Sequence, residues 1–273
     1  MIQTTHLFPV LDEKLIELLA SLEPEEWNRP TLARLWTVKD VAAHLLDGNV
    51  RGLSLARDGH RLAPDREIHS YPDLVGYLNQ LNADWTRATR RLSPRVLTGL
   101  LQTTGREYAD YLATLDPHAD AIFPVAWAGE STSPNWFHVA REYTEKWHHQ
   151  QQIREAVGRE GIMTREFFYP FIATLMRGLP HAYRHTTAPA GTAVRVVVDE
   201  GIGGAWCVVR GEERWQLAGT PPGAVHATLV VPPGIAWRLY TKGMTPEAAL
   251  SRVHAEGDEA LARVALSLVA VMA

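Results

Sequence analysis

Residues 136–149 read WFHVAREYTEKWHH, and no glycine or proline interrupts this run. The run predicts a long α-helix that begins near Pro134 and ends at Gly158, where a residue without a Cβ suits a left-handed helix end. Glu145 and His149 are four residues apart, so their side chains lie on one face of this helix. A carboxylate and an imidazole placed in this way can point at one metal ion.

An earlier helix carries the third candidate ligand. Thr37-Val38-Lys39-Asp40 has the form of a capping box, which predicts a helix that begins there and runs through Leu55. His44 falls inside this helix, on a face that should point into the protein core. A lone histidine on such a face is more often a hydrogen-bonded core residue than a ligand. The metal hypothesis for His44 therefore depends on the pair in the later helix.

The polar stripe on the later helix has two interpretations. It consists of His138, Arg141 or Glu142, Glu145 and His149. Buried carboxylates and imidazoles are costly unless they are paired or bound to a metal. A solvated stripe, or a plain Glu145–His149 hydrogen bond, accounts equally well for the spacing. His148 is a competing ligand, but it is displaced from His149 by about 100° around the helix.

Two histidines and a carboxylate suit zinc with an open fourth position, which is the arrangement of catalytic rather than structural sites. Nickel, iron or cobalt can occupy the same ligands. The single cysteine, Cys207, excludes an internal disulfide and a multi-cysteine zinc site.

Composition and charge narrow the functional class. The chain has 273 residues, 46% of them hydrophobic, which is enough for two ordinary domains. A formal charge of −4 lacks the basic excess of a nucleic-acid-binding protein. Charged residues near the N-terminus precede any long apolar run, so we expect neither a secretory signal nor a membrane span and take the cytoplasm as the location.

The pattern along the chain changes once, near residues 186–191. Before it, Ser70, Ser93 and Ser133 each precede a proline and mark helix starts, and a further helix is predicted from Thr164 to about Arg177. After it, short β-branched runs predict strands at 194–198, 205–209, 215–217 and 227–231, with turns at 201–204 and 221–223. Helices resume near Ile235, after Pro246 and after Asp258. We therefore predict an α and α+β fold, with an antiparallel helical bundle at 1–186 and a smaller α+β domain at 187–273.

Two motifs resemble a known family. The segment WTVKDVAAHL at 36–45, combined with Glu145-x-x-x-His149, resembles the DinB-like metalloprotein superfamily and, within it, the mycothiol-dependent maleylpyruvate isomerase family. Residues 227–230, 237–240 and 256–261 resemble the closing strand, helix and Gly-Asp turn of the sterol-carrier-like domain that follows the bundle in that family. The resemblance covers nearly the whole chain and implies both of these domains.

The resemblance also implies an activity. Zinc would be held by His44, Glu145 and His149, and a low-molecular-weight thiol such as mycothiol would dock on it through sulfur. The thiolate would then attack a small electrophilic substrate, which gives isomerisation of a maleylpyruvate-like compound or thiol transfer to another electrophile.

Three further residues are candidates for substrate binding. Arg141, one turn before Glu145, suits a substrate carboxylate or orients Glu145, although a surface salt bridge explains it as well. Arg238 is a similar candidate. Gln152 stands where the family frequently has an aspartate, and residues 240–243 replace a more usual glycine-arginine pair. These departures weigh against the particular isomerase activity but not against metal and thiol binding.

Two other functions remain open. One is a non-enzymatic small-molecule carrier with a structural metal, and the other is a hydrolase in which a metal-bound water is the nucleophile. The sequence leaves the oligomeric state open.

Overall fold

The structure is a computed structural model that describes residues 1–199, 201–220 and 223–271. It divides into two compact units. The helical unit comprises Gln3–Ile122 and Glu145–Ile162, and the mixed unit comprises Met1–Ile2, Phe123–Thr144 and the described part of Met163–Val271. One long helix, α5 (Asn135–Val157), has its first part in the mixed unit and its second part, from Glu145, in the helical unit.

The helices of the helical unit are α1 (Leu7–Ala20), α2 (Val38–Gly52), α3 (Tyr71–Thr89), α4 (Pro94–Ala113) and the second half of α5 (Asn135–Val157). The sequence predicts the starts of three of these helices, α2, α3 and α4. The predicted capping box is present, because the Thr37 hydroxyl accepts from the Asp40 N–H while the Asp40 carboxylate accepts from the Thr37 N–H. Ser70 and Ser93 cap α3 and α4 as predicted. A π-helical turn, Leu53–Arg57, continues α2 past its predicted end.

The core of the helical unit brings α1, α2, α4 and α5 together. Apolar side chains from all four helices pack in one cluster, which includes Leu15, Leu18, Val41, Leu45, Leu97, Leu101, Ile153 and Val157. Because Ile153 and Val157 of α5 join this cluster, the C-terminal half of α5 has a fixed rotation about its own axis. That rotation decides where Glu145 and its neighbours point.

The mixed unit holds a five-stranded sheet in the order β3-β2-β1-β4-β5. Its strands are β1 (Ala193–Val198), β2 (Gly204–Arg210), β3 (Trp215–Ala218), β4 (Ala227–Val230) and β5 (His254–Gly257). Strands β1 and β4 pair in parallel, and the other neighbours are antiparallel. Its helices after α5 are α6 (Arg165–Met176), α7 (Leu179–Ala182), α8 (Pro233–Tyr240), α9 (Pro246–Ala249) and α10 (Glu259–Arg263).

Most predicted elements are present. The long helix ends at Val157 and Gly158 has φ +70°, as its predicted role at a helix end requires. All four predicted strands are confirmed, and the turn from β1 to β2 contains Gly201 and Gly203. Strand β5 was not predicted. The predicted turn at 221–223 includes Pro221 and Pro222, which lie outside the described residues.

The fold class is thus confirmed as a helical N-terminal region followed by a C-terminal region with a five-stranded sheet. The predicted division at residues 186 and 187 stays a prediction. Within the described ranges, no helix is both long enough and apolar enough to cross a membrane.

Candidate metal centre

Helix α5 brings three donor side chains together in the helical unit. One ligand atom from each of Glu145, His148 and His149 lies within 4.8 Å of the other two. His149 Nε2 is 3.6 Å from Glu145 Oε2, and the ring centroids of His148 and His149 are 3.9 Å apart. Both histidines are buried, whereas Glu145 is partly exposed. These are donors of the types that zinc and related divalent metals accept.

His148 belongs to this group, although it was predicted only as a competing ligand that points away from His149. The angle of about 100° between His148 and His149 is correct for a helix, but the relevant comparison is with Glu145. His148 follows Glu145 by three residues and His149 follows it by four, so they lie about 60° to one side of Glu145 and about 40° to the other. The spacing Glu-x-x-His-His was the signal that identifies all three.

His44 reaches the same place from α2. Its ring lies edge-on against His149, with centroids 4.7 Å apart, and Trp36 packs 4.7 Å from it on centroids. The group of three donor atoms above does not include His44. However, His44 Nδ1 is buried and has no hydrogen-bond partner among the described residues. A buried nitrogen without a partner is costly, and a metal ion would satisfy it.

The surroundings of His44 favour the form that binds metals. Burial lowers the pKa of His44 well below its ordinary value, and the nearby His149 lowers it further, while Glu145 acts in the opposite direction. The imidazole is therefore neutral near neutral pH. A histidine has to be neutral to offer a lone pair to a cation.

Gln152 holds the ring of His149. The Gln152 amide oxygen lies 2.9 Å from His149 Nδ1. An amide oxygen only accepts, so Nδ1 is the donor in this contact and Nε2 is the nitrogen that faces Glu145. Metal-binding histidines are usually oriented by a contact of this kind on their second nitrogen.

An ion pair beside Glu145 ties α5 to α1. Lys146 Nζ lies 2.7 and 2.8 Å from the two carboxylate oxygens of Asp12, and both side chains are largely buried. Gly105 of α4 makes room for this pair, because a Cβ there would lie 2.7 Å from Asp12 Oδ2. Helices α1, α4 and α5 therefore meet at the side chain of Lys146, the residue that follows Glu145.

The two arginines predicted to bind substrate, Arg141 and Arg238, have partners within the mixed unit. Arg141 Nη2 donates to His138 Nδ1 at 2.9 Å and to the Glu142 carboxylate at 2.5 Å. Burial lowers the pKa of His138 to about 4. On α8, Arg238 donates to the carbonyl of Gly234 and lies over the ring of Trp237. A role for either arginine in substrate binding stays a prediction.

Residues 8–154 match the family model of the mycothiol maleylpyruvate isomerase N-terminal domain, and this range is more than half of the chain. The chain belongs to this family. The resemblance inferred from residues 36–45 and 145–149 is thereby confirmed. No curated protein matches the chain in sequence.

Two solved structures share the fold. A crystal structure of a histidine-to-alanine mutant of the mycothiol-dependent maleylpyruvate isomerase has a TM-score of 0.54 and 12% identity, and covers 93% of both chains. A crystal structure of the mycothiol-dependent maleylpyruvate isomerase has a TM-score of 0.52 and 13% identity, with the same coverage. At these identities the likeness shows the fold alone.

Proposed function

We propose that this chain is a metal-dependent enzyme that activates a low-molecular-weight thiol, mycothiol or a close relative, for attack on a small electrophile such as maleylpyruvate. The observation that carries the proposal is the meeting of Glu145, His149 and His44, whose buried Nδ1 has no hydrogen-bond partner among the described residues, in one partly buried cluster. Membership of the mycothiol maleylpyruvate isomerase N-terminal domain family supports the choice of thiol.

The metal would be held by His44, Glu145 and His149. Zinc suits this mixture of two imidazoles and a carboxylate, and nickel is the main competitor. A divalent cation there would supply the positive charge that favours a thiolate over a thiol, and the thiolate is the nucleophilic form.

The side chains around these ligands have separate tasks. Gln152 fixes the tautomer and rotation of His149. Trp36 packs against the ring of His44, with centroids 4.7 Å apart, and so restricts its rotation. The ion pair of Lys146 with Asp12 holds the segment of α5 that carries Glu145. Each group therefore orients a ligand before any substrate arrives, which is the condition for efficient catalysis.

Substrate contacts complete the proposal. Arg141 and Arg238 are our candidates for a substrate carboxylate, since a guanidinium binds a carboxylate with two parallel hydrogen bonds. Arg141 would exchange its contact with Glu142 for the substrate. We place the enzyme in the cytoplasm.

The test measures metal and thiol chemistry on the same samples. The protein is loaded with zinc chloride, freed of excess metal and assayed by elemental analysis. It is then incubated with mycothiol and maleylpyruvate, the isomers, which have equal mass, are separated by liquid chromatography, and thiol adducts are followed by mass spectrometry. We expect one equivalent of zinc and turnover that requires both zinc and thiol. His149→Ala should lose both, while His138→Ala, a matched buried histidine of α5, should keep its zinc. The proposal is refuted if the wild-type protein takes up no zinc or if turnover needs no thiol. Turnover without thiol that yields a hydrolysis product would indicate a hydrolase.

A further inference from the structure

His148 has no assigned task in the proposal above, yet it lies inside the cluster. It is 4% exposed, and its ring is closer to His149 than that of His44 is, at 3.9 Å against 4.7 Å between centroids. A donor atom of His148 also lies within 4.8 Å of donor atoms of both Glu145 and His149. The proposed function does not explain why His148 lies so close to the donor atoms of Glu145 and His149.

We propose that His148 is itself a metal ligand, so that α5 supplies three donors and His44 of α2 supplies the fourth. This inference rests on the proposed function, because it assumes that the cluster binds a divalent cation. It changes the expected donor set from two histidines and a carboxylate to three histidines and a carboxylate.

The helix geometry makes this set accessible without a change of backbone. Glu145, His148 and His149 occupy positions i, i+3 and i+4, which share one face within an arc of about 100°. The core contacts of Ile153 and Val157 fix the rotation of this part of α5. The three side chains therefore converge because of the backbone, and rotation about side-chain bonds is all that is needed to bring them onto one ion.

A shared cation accounts for the way these rings are gathered. The rings of His44 and His148 both lie against the ring of His149, with centroids 4.7 and 3.9 Å away. A carboxylate oxygen of Glu145 lies within 4.8 Å of a donor nitrogen of both His148 and His149. Neutral imidazoles gathered around one point are favourable when a cation lies at that point.

Four protein donors have a consequence for the thiol. Zinc with three protein ligands keeps a position for an outside group, and four protein ligands fill a tetrahedral site. A thiol that binds as thiolate, with its proton leaving to water, must then compete with His148 for the cation. Removing His148 should therefore weaken metal binding but strengthen thiol binding to the metal that remains.

The experiment uses cobalt(II) chloride and zinc chloride with the full chain. Zinc affinity is measured by competition with a chromophoric chelator, and the visible spectrum of the cobalt protein reports the ligand set. The variants are His148→Ala and the shape-conserving His148→Asn, with His149→Ala as a positive control and His138→Ala as the matched control. We expect both His148 variants to lose at least about tenfold in zinc affinity, as even partners of ligands contribute about tenfold. N-acetylcysteine should produce a sulfur-to-cobalt absorption band at lower concentration in these variants than in the wild type.

The outcomes separate this inference from the proposed function. If the wild type binds neither cobalt nor zinc, the proposed function fails and this inference fails with it. If the wild type binds both, and both His148 variants keep its zinc affinity and cobalt spectrum, then His148 is not a ligand and the His44, Glu145 and His149 set stands. Circular dichroism of each variant establishes that the helices are retained, and His148→Asn decides the question if His148→Ala unfolds.

Discussion

Gln152 is a residue whose substitution should change the zinc affinity of the candidate metal centre without removing a ligand. Its amide oxygen accepts the Nδ1 proton of His149 without adding charge. We predict that Gln152→Leu lowers zinc affinity by roughly tenfold, because the ring of His149 loses the contact that holds it. Gln152→Glu keeps an acceptor and adds a negative charge, so it should bind zinc at least as tightly as the wild type. Chelator competition at fixed pH measures both, and equal affinities for all three proteins would remove Gln152 from the site.

His138 gives a prediction about pH. Burial lowers its pKa to about 4, below the ordinary value of 6.5. The unfolded chain therefore binds a proton between these values that the folded chain does not, so stability is complete above about pH 6.5 and falls as the pH is lowered. Between about pH 7.5 and pH 5 this histidine should account for a loss of about 2 kcal/mol in the free energy of unfolding.

The measurement is denaturant unfolding of metal-free wild type and His138→Gln at both pH values. The variant cannot gain a charge at this position, so its stability should fall less on acidification than that of the wild type. Parallel losses in the two proteins would show that other groups cause the acid sensitivity.

At the scale of elements, the buried pair of Lys146 and Asp12 joins α5 to α1. Removing one partner leaves a buried charge without compensation, which costs about 3 to 5 kcal/mol. We predict that Asp12→Asn lowers the free energy of unfolding by an amount near the low end of this range, because its amide retains a hydrogen bond. Since Lys146 adjoins Glu145, zinc affinity should fall as well.

A second ion pair of the helical unit provides the control. Arg159 Nη2 lies 2.9 Å from the buried carboxylate of Glu26, which is distant in sequence from the metal ligands. Glu26→Gln should lower stability but keep the zinc affinity of the wild type. If Asp12→Asn and Glu26→Gln affect zinc binding equally at matched loss of stability, the pair at Lys146 has no special role in positioning Glu145.

Lys242, two residues after the end of helix α8 at Tyr240, has a strained backbone that offers another test. Lys242 has φ +63°, the left-handed region that costs a side-chain-bearing residue about 1 kcal/mol and that glycine enters freely. Lys242→Gly should therefore leave stability unchanged or raise it by up to about 1 kcal/mol, as read from thermal unfolding. A clear loss would mean that the contacts of the lysine side chain outweigh the backbone strain.

The elements differ in how far the sequence predicts them. Helices α2, α3 and α4 begin at Thr37, Ser70 and Ser93, where a side chain caps the first turn, so local chemistry alone was sufficient. Strand β5 has the sequence HAEG, is mostly exposed and exists because β4 offers it a partner. A partner that is chosen in three dimensions leaves little trace in a local pattern. His148 was missed for a different reason, because the local spacing Glu-x-x-His-His places it beside Glu145 but the prediction compared its direction with that of His149.

At the scale of the molecule, the fold class followed from one change in periodicity, from helical spacing to short β-branched runs. The course of α5 through both compact units did not follow from it, because an uninterrupted helix carries no local mark where its packing partners change. The residues that match the family model, 8–154, end inside this same helix. The candidate ligands at 145–149 lie within that match, in the half of α5 that belongs to the helical unit.

A cation held between α2 and α5 should stabilise the folded protein as a whole, because the unfolded chain has no preformed site. Zinc at about one hundred times its dissociation constant adds about 2.7 kcal/mol to the free energy of unfolding, which raises the melting temperature by about 5 °C or more for a chain of this size. Differential scanning calorimetry of the wild type with and without zinc measures the shift, and a chelator should reverse it. His149→Ala should show almost no shift, whereas His138→Ala should show the full one. An equal shift in His149→Ala would place the stabilising zinc elsewhere on the protein.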